Sequence, residues 1–259
     1  MATPLPLTGE RTTPGIWHEN YWFRRHEAVY AAVPGWVRAP AGTRGLVLDA
    51  GSGEGYGTAL LATALPRWQA VGVDYDAAAA AHAARVHSGA AAAYVRGALT
   101  ALPMPDSCAD LAVSLQVLEH IWTPGDYARE LARVLRPGGL LVLSTPNRLT
   151  FSPGLRRHQR PTNAYHCREY DAAELVTELD RWTPDLAVEN VLGVRHGARL
   201  RAWEAGHGGL VSAQQAGAPD SWAPALARAI RQVRARDFEI SPDHLDTSLD
   251  LVVVARRAD

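Results

Sequence analysis

The sequence predicts a doubly wound α/β domain with seven strands, mostly parallel, an antiparallel last strand and a helical insertion before it. Three observations carry this. Apolar runs alternate with helical stretches from Gly45 to Ser144, the pattern of βαβ units whose parallel sheet is covered on both faces. The first run ends at Asp49 and enters a loop with glycine at every second position from Gly51 to Gly57. After Pro146 the alternation stops, and the chain closes on Leu-Asp-Leu-Val-Val-Val, a strong strand pattern.

Each element has its own signal. Ile16 to Val33, with Trp17, Tyr21, Trp22, Phe23 and Tyr30, is aromatic and helical in pattern. Residues 1–44 are expected to form an N-terminal helical lid, and 45–259 the main domain, with Pro34 to Gly45 as a linker. Gly45 to Ala50 is the first strand and Gly57 to Leu65 the first helix of that domain. Gln69 to Val73 is the second strand, followed by the Ala-rich helix Ala77 to His87. Ala92 to Arg96 and Ala109 to Leu115 are the third and fourth strands. Asp126 to Leu135 is a helix stopped by Arg136-Pro-Gly-Gly139, and Leu140 to Ser144 is the fifth strand. Asn147 to Tyr170 is a polar, basic loop. Asp171 to Leu179 is a helix in which Asp171 can cap and Glu174 can close a capping box. Ala187 to Val194 is a sixth strand. Gly197 to Arg236 is an insertion with two helices, expected to build an acceptor pocket with Trp203, His207 and Trp222. Ser248 to Ala255 is the last strand, expected to form an antiparallel edge hairpin with the sixth.

Composition excludes several classes. Net charge is −1, which gives no reason to expect nucleic-acid or membrane-surface binding. Cys108 and Cys167 are far apart and in no ligand spacing, so neither a disulfide scaffold nor a zinc site is expected. There is no lysine, hence no Lys nucleophile or Schiff base. Met1 to Gly15 has neither a basic start nor an apolar core, and no apolar run approaches the ~18 residues of a membrane span. A soluble, cytoplasmic protein is expected; the oligomeric state is not legible.

The glycine loop lets backbone approach a ligand at the mouth of a helix. Gly51-x-Gly53-x-Gly55-x-Gly57 lacks the G-x-G-x-x-G interval that seats a dinucleotide pyrophosphate. Asp49 at the strand end suits an amino group or sulfonium better than a phosphate. A cofactor with a positive, methionine-like end fits.

From Trp17 to Glu178 the chain resembles the class I S-adenosylmethionine (SAM)-dependent methyltransferases. It looks closest to the branch holding ubiquinone/menaquinone-biosynthesis and bacterial glycan methyltransferases. The matching motifs, in order, are Val47-Leu-Asp-Ala-Gly-Ser-Gly-Glu-Gly, Val71-Gly-Val-Asp74, Leu102-Pro-Met-Pro-Asp106, Leu115-Gln-Val-Leu-Glu-His120, Arg133-Val-Leu-Arg-Pro-Gly-Gly139 and Ser144-Thr-Pro-Asn147. The resemblance implies a Rossmann-like sheet with SAM as cofactor. It implies that Gly51 and Gly53 let backbone pack under the methionine part, that Ser52 and Tyr56 also bind the cofactor, and that Asp49 holds the turn and faces the amino end. It further implies that Asp74 accepts from the ribose hydroxyls, Tyr75 packs beside adenine, and Gln116 and Leu118 lie under the sulfonium region. Where the family has Gly-Asp-Ala after the third strand this chain reads Gly97-Ala98-Leu99, so the backbone of Ala98 or Leu99 must read the adenine amino group.

Methyl transfer to a hydroxyl needs in-line proximity and a base. Histidine is the natural candidate. His120 follows the fourth strand, and His166 lies in Asn163-Ala-Tyr-His-Cys-Arg-Glu-Tyr170, which is similar to a stretch in glycan-type relatives after Thr145-Pro-Asn-Arg148. Both are candidate catalytic residues, and the expected acceptor is a small molecule or oligosaccharide hydroxyl. The Ala/Arg-rich chain also looks like the methyltransferases that cap the mycofactocin oligosaccharide. Arg156, Arg157, His158 and Arg160 could dock an anionic substrate or form a solvated loop. Tyr21, Trp22 and Arg25 could cover SAM or pack on the sheet. Glu119, Glu169 and Asp171 carry no metal spacing, and no metal is expected. The competing readings are a quinone or phenol acceptor and a non-catalytic SAM-binding protein.

Overall fold

The computed structural model describes residue 5 and residues 11–38, 42–89, 91–157 and 159–259. Most of the segment before Arg11, the middle of the linker and His158 of the basic loop lie outside the described residues. In chain order the elements are α1 (Asn20–Trp36), β1 (Gly45–Ala50), α2 (Tyr56–Ala64), β2 (Trp68–Asp74), α3 (Ala77–His87), β3 (Ala92–Arg96), β4 (Ala109–Leu115), α4 (Pro124–Val134), β5 (Leu135–Pro146), α5 (Arg148–Phe151), α6 (Ala172–Trp182), β6 (Leu186–His196), α7 (Ala198–His207), α8 (Leu210–Gln215), α9 (Pro224–Gln232), β7 (Phe238–Ser241) and β8 (Asp250–Arg257). They form one eight-stranded sheet in the order β3-β2-β1-β4-β5-β8-β6-β7.

The expected α/β class stands. The first five strands pair in parallel, and β8 runs antiparallel to both β5 and β6. Several details differ from the sequence reading. The insertion holds three α-helices, α7, α8 and α9, where two were expected. An eighth strand, β7, pairs antiparallel with β6 at the edge. The last strand is interior rather than part of an edge hairpin, lodged between β5 and β6. Its residues Leu251 to Ala255 are all buried, because both faces are covered.

Strand periodicity sorts the core into two layers. Val47, Leu111, Val113, Val142 and Val252 meet Val29 and Val33 of α1 and Ile230 of α9 on one face. Leu48, Ala112, Leu141, Leu143 and Val253 meet Leu131 of α4 and Leu175 and Leu179 of α6 on the other. Each such fully buried Val, Leu or Ile side chain contributes about 1.5–3 kcal/mol. The N-terminal helix is thus part of the core: Tyr21 and Val33 have no exposed surface. On α6 the capping box forms as expected, with Asp171 accepting from the Glu174 amide. Among the described residues no helix is long and apolar enough to cross a membrane.

Strand order reverses between β1 and β4. In an open α/β sheet the crevice beyond the carboxyl ends of such strands is where ligands bind. The loops after β1 and β4 frame it here.

Candidate functional site

The loop after β1 is built by backbone constraint. Gly51 has φ +84°, and a Cβ there would lie 2.4 Å from Val117 Cγ2. The amides of Gly51 and Ser52 donate to the Val73 carbonyl at 2.8 and 3.1 Å, and the Gly53 amide donates to Asp74 Oδ2 at 2.8 Å. Asp74 Oδ1 accepts from the Asp76 amide at 2.9 Å. Asp74 therefore closes the turn at the end of β2, with second lone pairs on both oxygens still available. At Gly57 a Cβ would meet Tyr30 Cζ at 2.1 Å, so glycine is what lets α2 press on α1.

Asp49 has no exposed surface. Its Oδ1 accepts from Tyr30 at 3.1 Å and its Oδ2 from Thr58 at 2.7 Å, tying β1 to α1 and α2. Burial pushes its carboxyl up to about 6, against the pull of the two hydroxyl bonds. Tyr56 is bonded to Thr12 at 2.9 Å, which brings the N-terminal segment over the loop. Arg11 continues that cover by pairing with Asp76 at 2.8 Å. Tyr75 is 71% exposed, Ala98 is exposed with its carbonyl accepting from the Ala101 amide, and Leu99 and Leu118 are buried.

At the end of β4 Gln116 has φ +57°, uncommon for a residue with a side chain and frequent at functional turns. Its amide nitrogen donates to Ser144 Oγ at 3.1 Å. A turn of 3-10 helix, Leu118–His120, follows. The Glu119 carbonyl accepts from the amides of Cys167 and Arg168, at 2.6 and 3.3 Å, which clamps the loop after β5 onto this turn. The two candidate histidines consequently meet, His120 and His166 having ring centroids 5.0 Å apart.

Two carboxylates frame them. Glu169 Oε1 lies 2.6 Å from His166 Nδ1; a carboxylate only accepts, so Nδ1 is the donor and Nε2 is the nitrogen that can serve as the ring's acceptor. Asn163 Nδ2 lies 3.0 Å from that Nε2. Glu119 Oε2 accepts from Thr145 at 3.0 Å, and its Oε1 lies 3.9 Å from His120 Nε2. Burial raises the Glu119 carboxyl, while the two histidines act to lower it. Ligand atoms of Glu119, His120 and His166 all lie within 4.8 Å of one another, so this trio could close on a divalent cation. Spacing hid the trio, because the sequence separates His166 from the adjacent Glu119 and His120 by the whole of α4, β5 and α5.

A cavity of about 550 Å³ joins these groups, with Gln116, Glu119, His120, His166 and Glu169 in one wall and Trp22, Arg25, Phe151 and Gln215 among the others. Of the helical insertion only Gln215 lines it. Trp203, His207 and Trp222 instead line a second cavity of about 360 Å³. Among the described residues of the basic loop, Arg156, Arg157 and Arg160 do not line the main cavity, and Arg157 pairs with Glu178 of α6 at 3.0 Å.

Comparison with known proteins agrees with this architecture. A family model described as a methyltransferase domain matches residues 48–143. The chain is 44% identical to a "probable S-adenosylmethionine-dependent methyltransferase" of Mycolicibacterium smegmatis, over 99% of this chain and 97% of the relative. It is 44% identical to a similarly described protein of Mycobacterium tuberculosis, over 98% of this chain and 90% of the relative. Among solved structures, a SAM-dependent methyltransferase from Mesorhizobium loti shares the fold, with a TM-score of 0.54 and 21% identity over 89% of this chain and 98% of that one. A crevice at the reversal of strand order, an acid closing the loop beyond it and full-length similarity to these relatives lead to one assignment: the chain is an enzyme of the class I SAM-dependent methyltransferase family, with SAM as its cofactor.

Proposed function

We propose that this enzyme O-methylates a hydroxyl group of a glycan or glycosylated small molecule. One observation carries the reading: a His–Glu cluster stands in the wall of the cavity that begins at Gln116. A sulfonium methyl is already electrophilic, so what a hydroxyl acceptor needs from the protein is position and a proton acceptor. SAM would be held across the β1 and β4 loops, with Gly51, Ser52, Gly53 and Tyr56 around its methionine end and Asp74 accepting from its ribose hydroxyls. Tyr75 and the Ala98–Leu99 backbone would flank the adenine, and Gln116 and Leu118 would lie beneath the sulfonium.

Bound there, SAM would supply an electrophilic methyl group to the acceptor oxygen, the carbon–sulfur bond breaking as the oxygen–carbon bond forms and S-adenosylhomocysteine leaving. The hydroxyl proton passes to His166 Nε2, which exchanges its contact with Asn163 for the acceptor. Glu169 balances the imidazolium that results, as a carboxylate behind a histidine does in hydrolytic triads. His120 sits beside it to orient the hydroxyl. An oligosaccharide of the mycofactocin type is one acceptor of this class.

Pro146, Trp22 and Phe151 also line the cavity and would suit a planar quinone or phenol, the second reading. The two separate on His120→Ala and His166→Ala. A hydroxyl acceptor predicts that at least one loses about 10²–10⁴-fold in turnover with SAM binding intact. Unchanged turnover in both variants removes the base assignment.

A further inference from the structure

Arg25, in the middle of α1, is only 5% exposed and lies in the wall of the main cavity. Its guanidinium is held between two rings, 4.8 Å from the centroid of Trp22 and 5.2 Å from that of Phe151. Behind it, Nε lies 3.2 Å from Asp250 Oδ2, itself 1% exposed. This pair offsets charge without satisfying the donors. Nε and Nη1 are both buried with no hydrogen-bond partner among the described residues, and so is Asp250 Oδ1.

A guanidinium presents five donors in a rigid fork. Burying it with donors unmet is costly, and a structural ion pair would be expected to use them. The two rings fix the plane of the fork, which cuts the entropy lost when a ligand docks on it. We propose that Arg25 is the receptor for an oxyanion, a carboxylate or phosphate brought into the cavity either by the cofactor's amino-acid end or by the acceptor. Two parallel N–H···O bonds from one edge of the fork would hold it. The proposal rests on SAM being the methyl donor.

The test is calorimetry on the full chain with three probes: S-adenosylhomocysteine, 5′-methylthioadenosine, which lacks the amino-acid end, and inorganic phosphate added to the S-adenosylhomocysteine complex. Arg25→Lys keeps the charge and loses the fork. The double variant Arg25→Met/Asp250→Asn removes both buried charges together, so that neither is stranded.

If the anion is the cofactor's, both variants lose about tenfold or more in S-adenosylhomocysteine affinity, with 5′-methylthioadenosine within about twofold of wild type. If it is the acceptor's, both nucleosides bind as before, and phosphate binds the wild-type complex but not the variants. Equal weakening of both nucleosides, or no change with any probe, overturns the proposal. Failure of the wild-type chain to bind S-adenosylhomocysteine at all would instead overturn the donor assignment.

Discussion

Replacing Gly51 with alanine tests how the cofactor loop is built. At φ +84° an L-residue carries a left-handed backbone penalty of about 1–2 kcal/mol. The new Cβ also falls 2.4 Å from Val117 Cγ2, and Val117 is buried against β4. Forcing that methyl into a packed site adds about 1–3 kcal/mol. The sum, about 2–5 kcal/mol, corresponds to a fall in Tm of roughly 4–20 °C for a domain of this size. The two contributions separate in a double-mutant cycle. In a Val117→Ala background the two clashing methyls are gone and only a contact of 3.3 Å to the remaining Cβ stays beside the backbone penalty, so Gly51→Ala should cost about 1–3 kcal/mol less there than in wild type. Urea denaturation of the four proteins measures this, with S-adenosylhomocysteine calorimetry alongside. An unchanged Tm for Gly51→Ala, or the same cost in both backgrounds, would refute the steric account of the loop.

Three further outcomes are expected. Asp74→Ala removes the acceptor of the Gly53 and Asp76 amides as well as the proposed ribose contact, so S-adenosylhomocysteine affinity should fall tenfold or more by calorimetry, with a stability loss of about 1–3 kcal/mol. Asp49, raised from 3.8 to about 6 by burial, binds its proton more tightly folded than unfolded. Its contribution is therefore fully present below about pH 4 and lost as pH rises through about 6, by up to on the order of 3 kcal/mol; Asp49→Asn should flatten that part of a denaturation-against-pH curve for the ligand-free protein. Glu169→Gln should shift the lower limb of the pH profile of turnover, because it alters the partner of His166 Nδ1, and an unmoved profile would detach Glu169 from the proton transfer.

Much of the fold was legible because local rules and global packing agree over residues 45–134. The strand Ala109–Leu115 and the helix Ala77–His87 are bounded by turns on both sides, and their sequence limits match the structure. The stretch Arg136-Pro-Gly-Gly139 reads as a helix stop, yet β5 already begins at Leu135 and Gly138 takes φ +72° within it. Sequence chemistry located the interruption and not the register. Strand β7 is only four residues, FEIS, after a run of helices, too short for its alternation to stand out. The interior place of β8 had a readable signal: an edge strand would have exposed some of Leu251–Ala255, and an unbroken apolar run belongs in a sheet covered on both sides.

The candidate site was partly legible. His120 and His166 could be named singly, but their contact depends on the Cys167 amide reaching the Glu119 carbonyl, which no spacing shows. The Glu169 partner, three residues beyond His166, was present as a pattern without a geometry to give it meaning. Arg25 and Asp250 lie at opposite ends of the chain and meet only because β8 enters the sheet beside β5.

The most direct measurement of the central claim is the identity of the methylated atom. The enzyme would be supplied with SAM carrying a ¹³C-methyl group and an oligosaccharide pool, and the product examined by NMR. The account predicts a methyl ether on a sugar oxygen, with the signal lost in His166→Ala while that variant still binds S-adenosylhomocysteine. A methyl group on a ring carbon, or a methyl ether formed at an undiminished rate by both His120→Ala and His166→Ala, would contradict it.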